Sequence, residues 1–287
     1  LVHPRAGHLA GQGHAHGLVI GQAPGQVQAG QHVGDGLAVG HRLGVGAIGP
    51  GTVYLNLGTA VVGGLWSPVA EISQDWRTLI SATGEGYILE VVQRAGTAFL
   101  NWFMDTFGLD RNDPAVFRRL EAEAARIAIG SEGVTVVPYL FGCMNPHWDG
   151  RATASFTGLG PRHTLVHMYR ASLEAITLEF ARSLATMRET GQRAERIFTI
   201  GGGSASPLWC QMVADSTGLP VIQSHSNEAS ALGAGILAAM GAGWFTSFPK
   251  AIASMTRIAE SRLPALDTGP AWASLAVRQA AAYVPPT

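Results

Sequence analysis

The chain has 287 residues, of which 47% are hydrophobic and 14% charged, and its formal net charge is −1 at pH 7. This length and composition predict a globular protein of one large or two small domains. The near-neutral charge, without any run of five basic residues, argues against nucleic acid as a partner, because neutralising phosphates requires clustered Lys and Arg. The sequence shows no run of 18 apolar residues and no signal-peptide layout, so we expect a cytoplasmic protein without a membrane anchor.

Residues 1–50 differ in composition from the rest of the chain. They contain 13 of the 37 glycines, six of the ten histidines and one acidic residue, Asp35, but no Phe, Trp, Tyr, Met or Lys. Such a segment cannot easily offset its ordering entropy, so we expect residues 1–46 to be disordered, or to be translated from the wrong reading frame or from a truncated gene. The domain itself is expected over residues 47–287. The histidines could bind a metal, but the segment supplies no rigid support for such ligands, so no metal site is predicted.

From residue 47 onwards, strand-like and helix-like patterns alternate. The predicted strands cover residues 52–57, 86–92, 134–140, 154–159, 196–200 and 220–223. The predicted helices cover residues 96–107, 114–129, 163–190, the residues after Pro207, 228–240 and 272–283. This mixture predicts an α/β fold in which at least part of the sheet is parallel.

The two cysteines, Cys143 and Cys210, are far apart and form no Cys-x-x-Cys pair. This spacing indicates neither a zinc site nor a disulfide framework, so reduced thiols are expected.

The run from Gly201 to Ser206, Gly-Gly-Gly-Ser-Ala-Ser, lies between a predicted strand and a predicted helix. Glycines let the backbone approach a ligand, and the free N–H groups of a helix start favour phosphate, so we predict nucleotide binding here. Close helix–sheet packing would also explain the glycines.

Two common nucleotide motifs do not fit this run. A dinucleotide fold needs Gly-x-Gly-x-x-Gly with an acidic residue about 20 positions later; Glu228 has a suitable distance, but the third glycine is missing. A phosphate loop ending in Gly-Lys is excluded because the only lysine, Lys250, follows Ser-Phe-Pro. An oxidoreductase of the dinucleotide-binding class is therefore the weakest alternative.

Several motifs together resemble the FGGY carbohydrate kinases, in particular the C-terminal domain of their xylulokinase-like branch. The most specific block is Ala-Ser-Phe-Thr-Gly-Leu at residues 154–159, followed after seven residues by His-Met-Tyr-Arg-Ala-Ser-Leu-Glu at residues 167–174. Matching segments also lie at residues 52–59, 86–90, 96–97, 101–103, 201–203 and 231–234. The likeness covers about residues 47–250.

This resemblance implies a ribonuclease-H-like, actin-like ATPase fold, of which the chain would be one lobe of a two-lobed sugar kinase. It implies ATP-dependent phosphorylation of a sugar hydroxyl with Mg²⁺, on xylulose or a related ketose or polyol. By position it places Gly58 and Thr59 at the transferring phosphate and Gly96 and Asn101 at a helix start that faces the nucleotide. It places Gly202, Gly203 and Ser206 against the adenosine.

The sugar pocket is expected in an N-terminal lobe that this sequence lacks, so we expect weak or absent activity from the chain alone. Two alternatives stay open. A separate chain could supply the missing lobe, or the chain could be a non-catalytic nucleotide-binding or protein-association module that forms a homo-oligomer.

The sequence departs from the family pattern at three places. Cys143 and Met144 replace an acidic–basic pair that the family commonly has, and Ala60 takes a position often occupied by serine. Asp35 is the nearest candidate for the catalytic aspartate of the family, although it lies about two residues too far from Gly58.

Overall fold

The computed structural model describes residues 40–226 and 228–285. Its strands are β1 Gly51–Leu57, β2 Val61–Ser67, β3 Arg77–Ile80, β4 Tyr87–Gln93, β5 Thr135–Val137, β6 Ser155–Thr157, β7 Ala194–Ile200, β8 Val221–Ser224 and β9 Ile258–Arg262. Its helices are α1 Thr97–Thr106, α2 Pro114–Ala124, α3 Leu165–Glu189, α4 Pro207–Thr217, α5 Ala229–Gly241, α6 Phe248–Met255 and α7 Gly269–Ala282. Residues 40–45 are also helical.

Seven strands form one mixed sheet in the order β3-β4-β2-β1-β7-β8-β9, and β5 pairs with β6 in a separate two-stranded sheet. The pairs β1–β7 and β7–β8 are parallel, as the sequence predicts. Asn56 near the end of β1 lies opposite Ile200 at the end of β7. Because the carboxyl ends of parallel strands share one edge of a sheet, the loops that follow β1 and β7 are brought together there.

The main apolar cluster surrounds the long helix α3. It includes Phe99, Phe103, Phe180, Trp209 and Trp272 from α1, α3, α4 and α7. A second set of apolar residues includes Tyr54 and Ile200 of the sheet together with Val45 and Ala229. A further cluster joins Leu43 to Ile236 and Ile252. Within the described residues, no helix is both long and apolar enough to cross a membrane.

Residues 40–45 pack against α5 with their backbones in close contact. A Cβ on Gly44 would lie 2.0 Å from the carbonyl oxygen of Ala229, and one on Gly233 would lie 2.1 Å from that of Gly40. Only glycine fits at such separations. Residues 40–46 are therefore part of the packed body, seven residues upstream of the predicted start at residue 47. The remainder of the predicted atypical segment, including Asp35, lies outside the described residues.

Most predicted elements are present, with shifted ends. The helix predicted over 114–129 ends at Ala124, and the strands predicted over 134–140 and 154–159 contain only three residues each. The sequence did not predict β2, β3, β9, α6 or the helix at residues 40–45. Strand β9 is almost entirely exposed and β3 is only half-buried, so neither has the strict apolar alternation that identifies a strand.

Two residues of the most specific sequence block form a buried ion pair. The Nε of Arg170 lies 2.8 Å from Oε1 of Glu174, one turn further along α3. Glu174 also accepts hydrogen bonds from the N–H of Gly130 and the hydroxyl of Ser131, and Arg170 donates to the carbonyl of Ala124. Burial raises the pKa of Glu174, while Arg170 and the hydrogen bonds oppose that shift. In this structure the pair attaches α3 to the segment between α2 and β5.

Candidate functional site

Three segments meet at the carboxyl edge of β1 and β7. They are the turn at residues 58–60, the start of α1 at residues 96–101, and the glycine turn at residues 201–206. These segments contain all the predicted nucleotide-contacting residues, namely Gly58, Thr59, Gly96, Asn101, Gly202, Gly203 and Ser206. The structure thus gathers into one region residues that are up to 148 positions apart in the sequence.

Backbone hydrogen bonds attach the 58–60 turn to the start of α1. The N–H of Thr97 donates to the carbonyl of Gly58 at 2.8 Å, and the N–H groups of Gly96 and Ala98 donate to that of Thr59 at 3.1 and 3.2 Å. A Cβ on Gly96 would lie 2.4 Å from the Gly58 oxygen, so the close approach requires glycine. Because three N–H groups at the start of α1 are used in this way, the helix start holds the turn in place.

The N–H groups of the turn itself remain available. Within the described part of the chain, those of Gly58, Thr59 and Ala60 donate no hydrogen bond. Thr59 is exposed, and Gly58 and Ala60 are half-buried. Successive free N–H groups in a turn form a concavity that attracts anions.

The glycine turn has one ligand-accessible member and two that serve packing. Gly201 has a φ of +84°, and its Cβ would lie 2.3 Å from Oδ1 of Asn56. Gly203 is buried, and its Cβ would lie 2.9 Å from the side chain of Leu57. Gly202 is exposed, and a Cβ there would meet nothing within 4 Å. Gly202 is therefore the glycine at which a ligand could approach the backbone most closely.

Ser206 is buried and its hydroxyl is already engaged. It donates to Oε2 of Glu121 at 2.6 Å and accepts from the N–H of Trp209 at 2.9 Å, which caps helix α4. The other carboxylate oxygen of Glu121 accepts from the hydroxyl of Tyr169 at 2.8 Å. Burial raises the pKa of Tyr169 well above its ordinary value, which keeps the phenol protonated and donating. Ser206 thus connects the glycine turn to α2 and α3.

Asn101 is half-buried on α1, one turn beyond Gly96, and its side chain bonds no other described residue. Sequence reasoning missed three residues that shape the region: Glu121, Asn56 and His41. Asn56 lies between the two turns, and its Nδ2 lies 3.4 Å from Nε2 of His41. Burial lowers the pKa of His41, so the ring is neutral at pH 7. For Asn56, the available signal was an amide side chain near the end of a mostly apolar strand.

The three segments contain no charged side chain. In the part of the chain that the structure describes, no group of three or more His, Cys, Asp or Glu could hold a metal ion. Protein-bound Mg²⁺ uses at least one carboxylate together with the phosphates of its substrate. These segments offer no such carboxylate, so they do not fit as a Mg²⁺ site.

Residues 142–149, where Cys143 and Met144 depart from the family pattern, follow β5. Cys143 is buried, its thiol lies 3.4 Å from the carbonyl of Asn145, and burial raises its pKa. Oδ1 of Asn145 accepts from the N–H of Val92 at 3.1 Å, which attaches this segment to β4. Because the raised pKa keeps the thiol neutral at pH 7, Cys143 supplies no negative charge where the resemblance implies an acidic–basic pair.

The sequence and fold of this chain are similar to those of known carbohydrate kinases. Residues 53–242 match the family described as the FGGY family of carbohydrate kinases, C-terminal domain. The xylulose kinase of Bacillus subtilis (strain 168) is 31% identical over 227 residues, which cover 77% of this chain and 44% of that protein. The glycerol kinase of Deinococcus radiodurans is 34% identical over 163 residues, 56% of this chain and 32% of that protein. The crystal structure of xylulose kinase from Rhodospirillum rubrum aligns with a TM-score of 0.77 at 28% identity, covering 86% of this chain and 49% of that one.

The fold is that of the ribonuclease-H-like, actin-like sugar kinases, as the sequence predicts. The chain belongs to the FGGY family of carbohydrate kinases, which are phosphotransferases with an alcohol group as acceptor. It spans less than half the length of the curated relatives reported above.

Proposed function

We propose that this chain is the nucleotide-binding lobe of an ATP-dependent sugar kinase of the xylulose kinase type. The phosphates would lie against the 58–60 turn and Gly202, and the adenosine would lie against the remainder of the glycine turn. Xylulose or a related ketose or polyol is the proposed acceptor, because a xylulose kinase is similar over 77% of the chain.

The observation that carries this proposal is the set of free N–H groups at Gly58, Thr59 and Ala60. They occupy the carboxyl edge of parallel strands, where ligands of α/β proteins commonly bind. Since the adjoining segments carry no charged side chain, backbone dipoles and the Thr59 hydroxyl would provide the attraction for phosphate.

The residues of the three segments would orient the phosphates, and none of them would supply a base. The hydrogen bonds from the start of α1 fix the turn before the nucleotide arrives, so its N–H groups need no reorganisation during phosphoryl transfer. Mg²⁺ would be held by the phosphates of ATP rather than by these segments, and it would neutralise part of the phosphate charge. Asp35 remains our proposal for the base that accepts the proton of the sugar hydroxyl.

The sugar pocket is proposed to lie in a second lobe, contributed by another part of a longer protein or by another chain. The chain alone is therefore expected to bind nucleotide and to phosphorylate sugar weakly or not at all. A non-catalytic nucleotide-binding module predicts the same binding, but no gain in activity when the second lobe is supplied.

Isothermal titration calorimetry with Mg-ATP, Mg-ADP and adenosine tests the binding proposal. We expect saturable binding of both nucleotides and weaker binding of adenosine, because the turn would contribute only through phosphates. The matched variant Thr59→Val removes one hydroxyl at nearly constant size. It should weaken the binding of ATP more than the binding of adenosine. No binding of ATP by the folded chain would contradict the proposal.

A further inference from the structure

One polar side chain of the sheet lies between the two turns of the candidate site. Asn56 is the next to last residue of β1, and its backbone is paired with Val62 of β2 and Ile200 of β7. This position is at the carboxyl edge, where the 58–60 turn and the glycine turn meet. Asn56 belongs to none of the three segments described above, and nothing has yet been assigned to its side chain.

The Asn56 amide touches both turns. A Cβ on Gly58 would lie 3.2 Å from both Nδ2 and Oδ1 of Asn56, and one on Gly201 would lie 2.3 Å from Oδ1. A ligand that contacts both turns, as proposed above for ATP, would therefore lie close to this amide.

Much of the hydrogen-bonding capacity of the amide is unused. A side-chain amide has two N–H donors and a carbonyl oxygen with two lone pairs. Within the described residues, the Asn56 amide makes one polar contact, from Nδ2 to Nε2 of His41 at 3.4 Å. Asn56 is half-buried, and its amide is not enclosed as Nδ1 of His41 is, so a ligand can reach it.

The contact with His41 fixes which way the amide faces. Burial lowers the pKa of His41, so the ring is neutral at pH 7 and one of its nitrogens is an acceptor. Nε2 must be that nitrogen, because the neighbouring Nδ2 of Asn56 can only donate. One N–H of Nδ2 is thus held by His41, and Oδ1 lies beside Gly201. The second N–H remains free for a ligand.

The charge of the region favours an anion at this N–H. The three segments carry no charged side chain, and Asn56 itself is neutral. A phosphate oxygen accepts hydrogen bonds, and bonds to a charged acceptor are stronger than those between neutral groups. A carboxylate of the same shape would instead repel a phosphate. The amide is therefore the form of this side chain that suits an anionic ligand.

We propose that Asn56 is a phosphate-contacting residue, whose free side-chain N–H donates to an oxygen of the ATP phosphates. This inference rests on the proposed function, because it takes the phosphates to lie against the 58–60 turn. It adds one side-chain donor to the backbone N–H groups of that turn. The alternative is that Asn56 only fills the space between the two turns.

Asn56→Ala and Asn56→Asp separate these two roles. Aspartate keeps the shape of the side chain but replaces the donor with a negative charge, whereas alanine removes both the donor and the volume. Calorimetric titration with ATP, in EDTA and with Mg²⁺, should show a loss of about tenfold in affinity for Asn56→Ala. In EDTA the loss should be larger for Asn56→Asp, because its carboxylate repels the uncomplexed phosphates. A space-filling role predicts the opposite order, since aspartate preserves the packing.

Adenosine and a distant variant provide the controls. Adenosine carries no phosphate, so its affinity should change by less than about threefold in both Asn56 variants. Asn112→Asp adds the same charge at an exposed residue of the loop between α1 and α2, and it should bind ATP as the wild type does. Urea unfolding verifies that each variant folds. If Asn56→Ala does not fold, Asn56→Ser takes its place, because serine also lacks the amide.

Two results would overturn the inference. They are wild-type ATP affinity in Asn56→Ala, and tighter binding of ATP in EDTA by Asn56→Asp than by Asn56→Ala. Either result, in a series whose wild type binds ATP, leaves the proposed nucleotide site intact. If the wild-type chain binds no ATP with or without Mg²⁺, the proposed function fails, and this inference fails with it.

Discussion

Gly96 contacts Gly58 so closely that a Cβ on Gly96 would lie 2.4 Å from the Gly58 carbonyl oxygen. The same oxygen accepts the N–H of Thr97 at 2.8 Å. The turn after β1 is therefore held by α1, although the two segments are separated by β2, β3 and β4 in the sequence. Its free N–H groups are fixed by this contact before any ligand binds.

Gly96→Ala should disturb this contact. The new methyl group must displace either the turn or the start of α1, at a stability loss of about 1–3 kcal/mol. We also expect ATP affinity to fall about tenfold or more, measured by calorimetry beside urea unfolding. Gly150→Ala is the control, because a Cβ there meets nothing within 4 Å. Equal ATP affinity in both variants would show that the turn does not contact phosphate.

Gly202→Ala separates ligand contact from stability. A Cβ at this exposed position meets nothing within 4 Å, so the free energy of unfolding should stay within about 0.5 kcal/mol of the wild type. A methyl group would nevertheless prevent the closest approach of a ligand, and ATP should bind more weakly. Calorimetry and urea unfolding check the two halves of this prediction. Unchanged ATP affinity in a fully folded variant would remove Gly202 from the site.

The glycines of the candidate site could be picked out from the sequence because a turn that follows a strand leaves a local pattern, and their contact with a nucleotide stays a prediction. The sequence could not predict the partners of those glycines. Asn56, which packs against Gly201, and Glu121, which binds Ser206, depend on contacts between residues distant in the chain. The packing of residues 40–46 depends on a similar long-range contact, since Gly40 and Gly44 look like loop residues until α5 lies against them.

The sequence also could not distinguish residues that contact a ligand from residues that stabilise the fold. Arg170 and Glu174 belong to the most specific block, yet in the structure they pair with each other and hold a turn. Ser206 was predicted to contact adenosine, and its hydroxyl is occupied by Glu121 and Trp209.

Ser206→Ala should therefore affect stability first. It leaves Oε2 of Glu121 without the hydroxyl donor and removes the cap of α4, and we expect a loss of about 1–3 kcal/mol in urea unfolding. Ser204→Ala is a useful comparison, because its hydroxyl bonds only the carbonyl of Gly201 within the described chain. If Ser206 also contacts adenosine, the affinity for adenosine will fall in the first variant and not in the second. A stability equal to wild type would contradict the buried contact with Glu121.

Glu174→Ala should be among the most damaging single changes. It leaves the guanidinium of Arg170 buried without its charge partner, and breaking a buried pair in this way costs about 3–5 kcal/mol. Glu123→Ala, which breaks the exposed pair with Arg119, should change stability by less than about 0.5 kcal/mol. Urea unfolding of both variants measures the difference. Similar losses in the two would contradict the assigned role of Glu174.

His41 should make stability depend on pH. Burial lowers its pKa below 6.5 in the folded chain, so the unfolded chain binds more protons as the pH falls below 6.5. The His41 contribution to stability is therefore present at neutral pH and is lost between pH 6.5 and the lower folded pKa. His41→Gln should flatten the pH profile of the unfolding free energy in this window. A variant profile parallel to the wild type would exclude the contribution.

If the free N–H groups at residues 58–60 receive the phosphates of ATP, the backbone amides there should respond to the nucleotide. A titration of the ¹⁵N-labelled chain with Mg-ATP, followed by amide chemical shifts, measures this response. We expect the amides of Gly58, Thr59, Ala60 and Gly202 to shift with ATP and much less with adenosine. If ATP binds while these amides stay unmoved, the phosphates lie elsewhere and the assignment of the site is wrong.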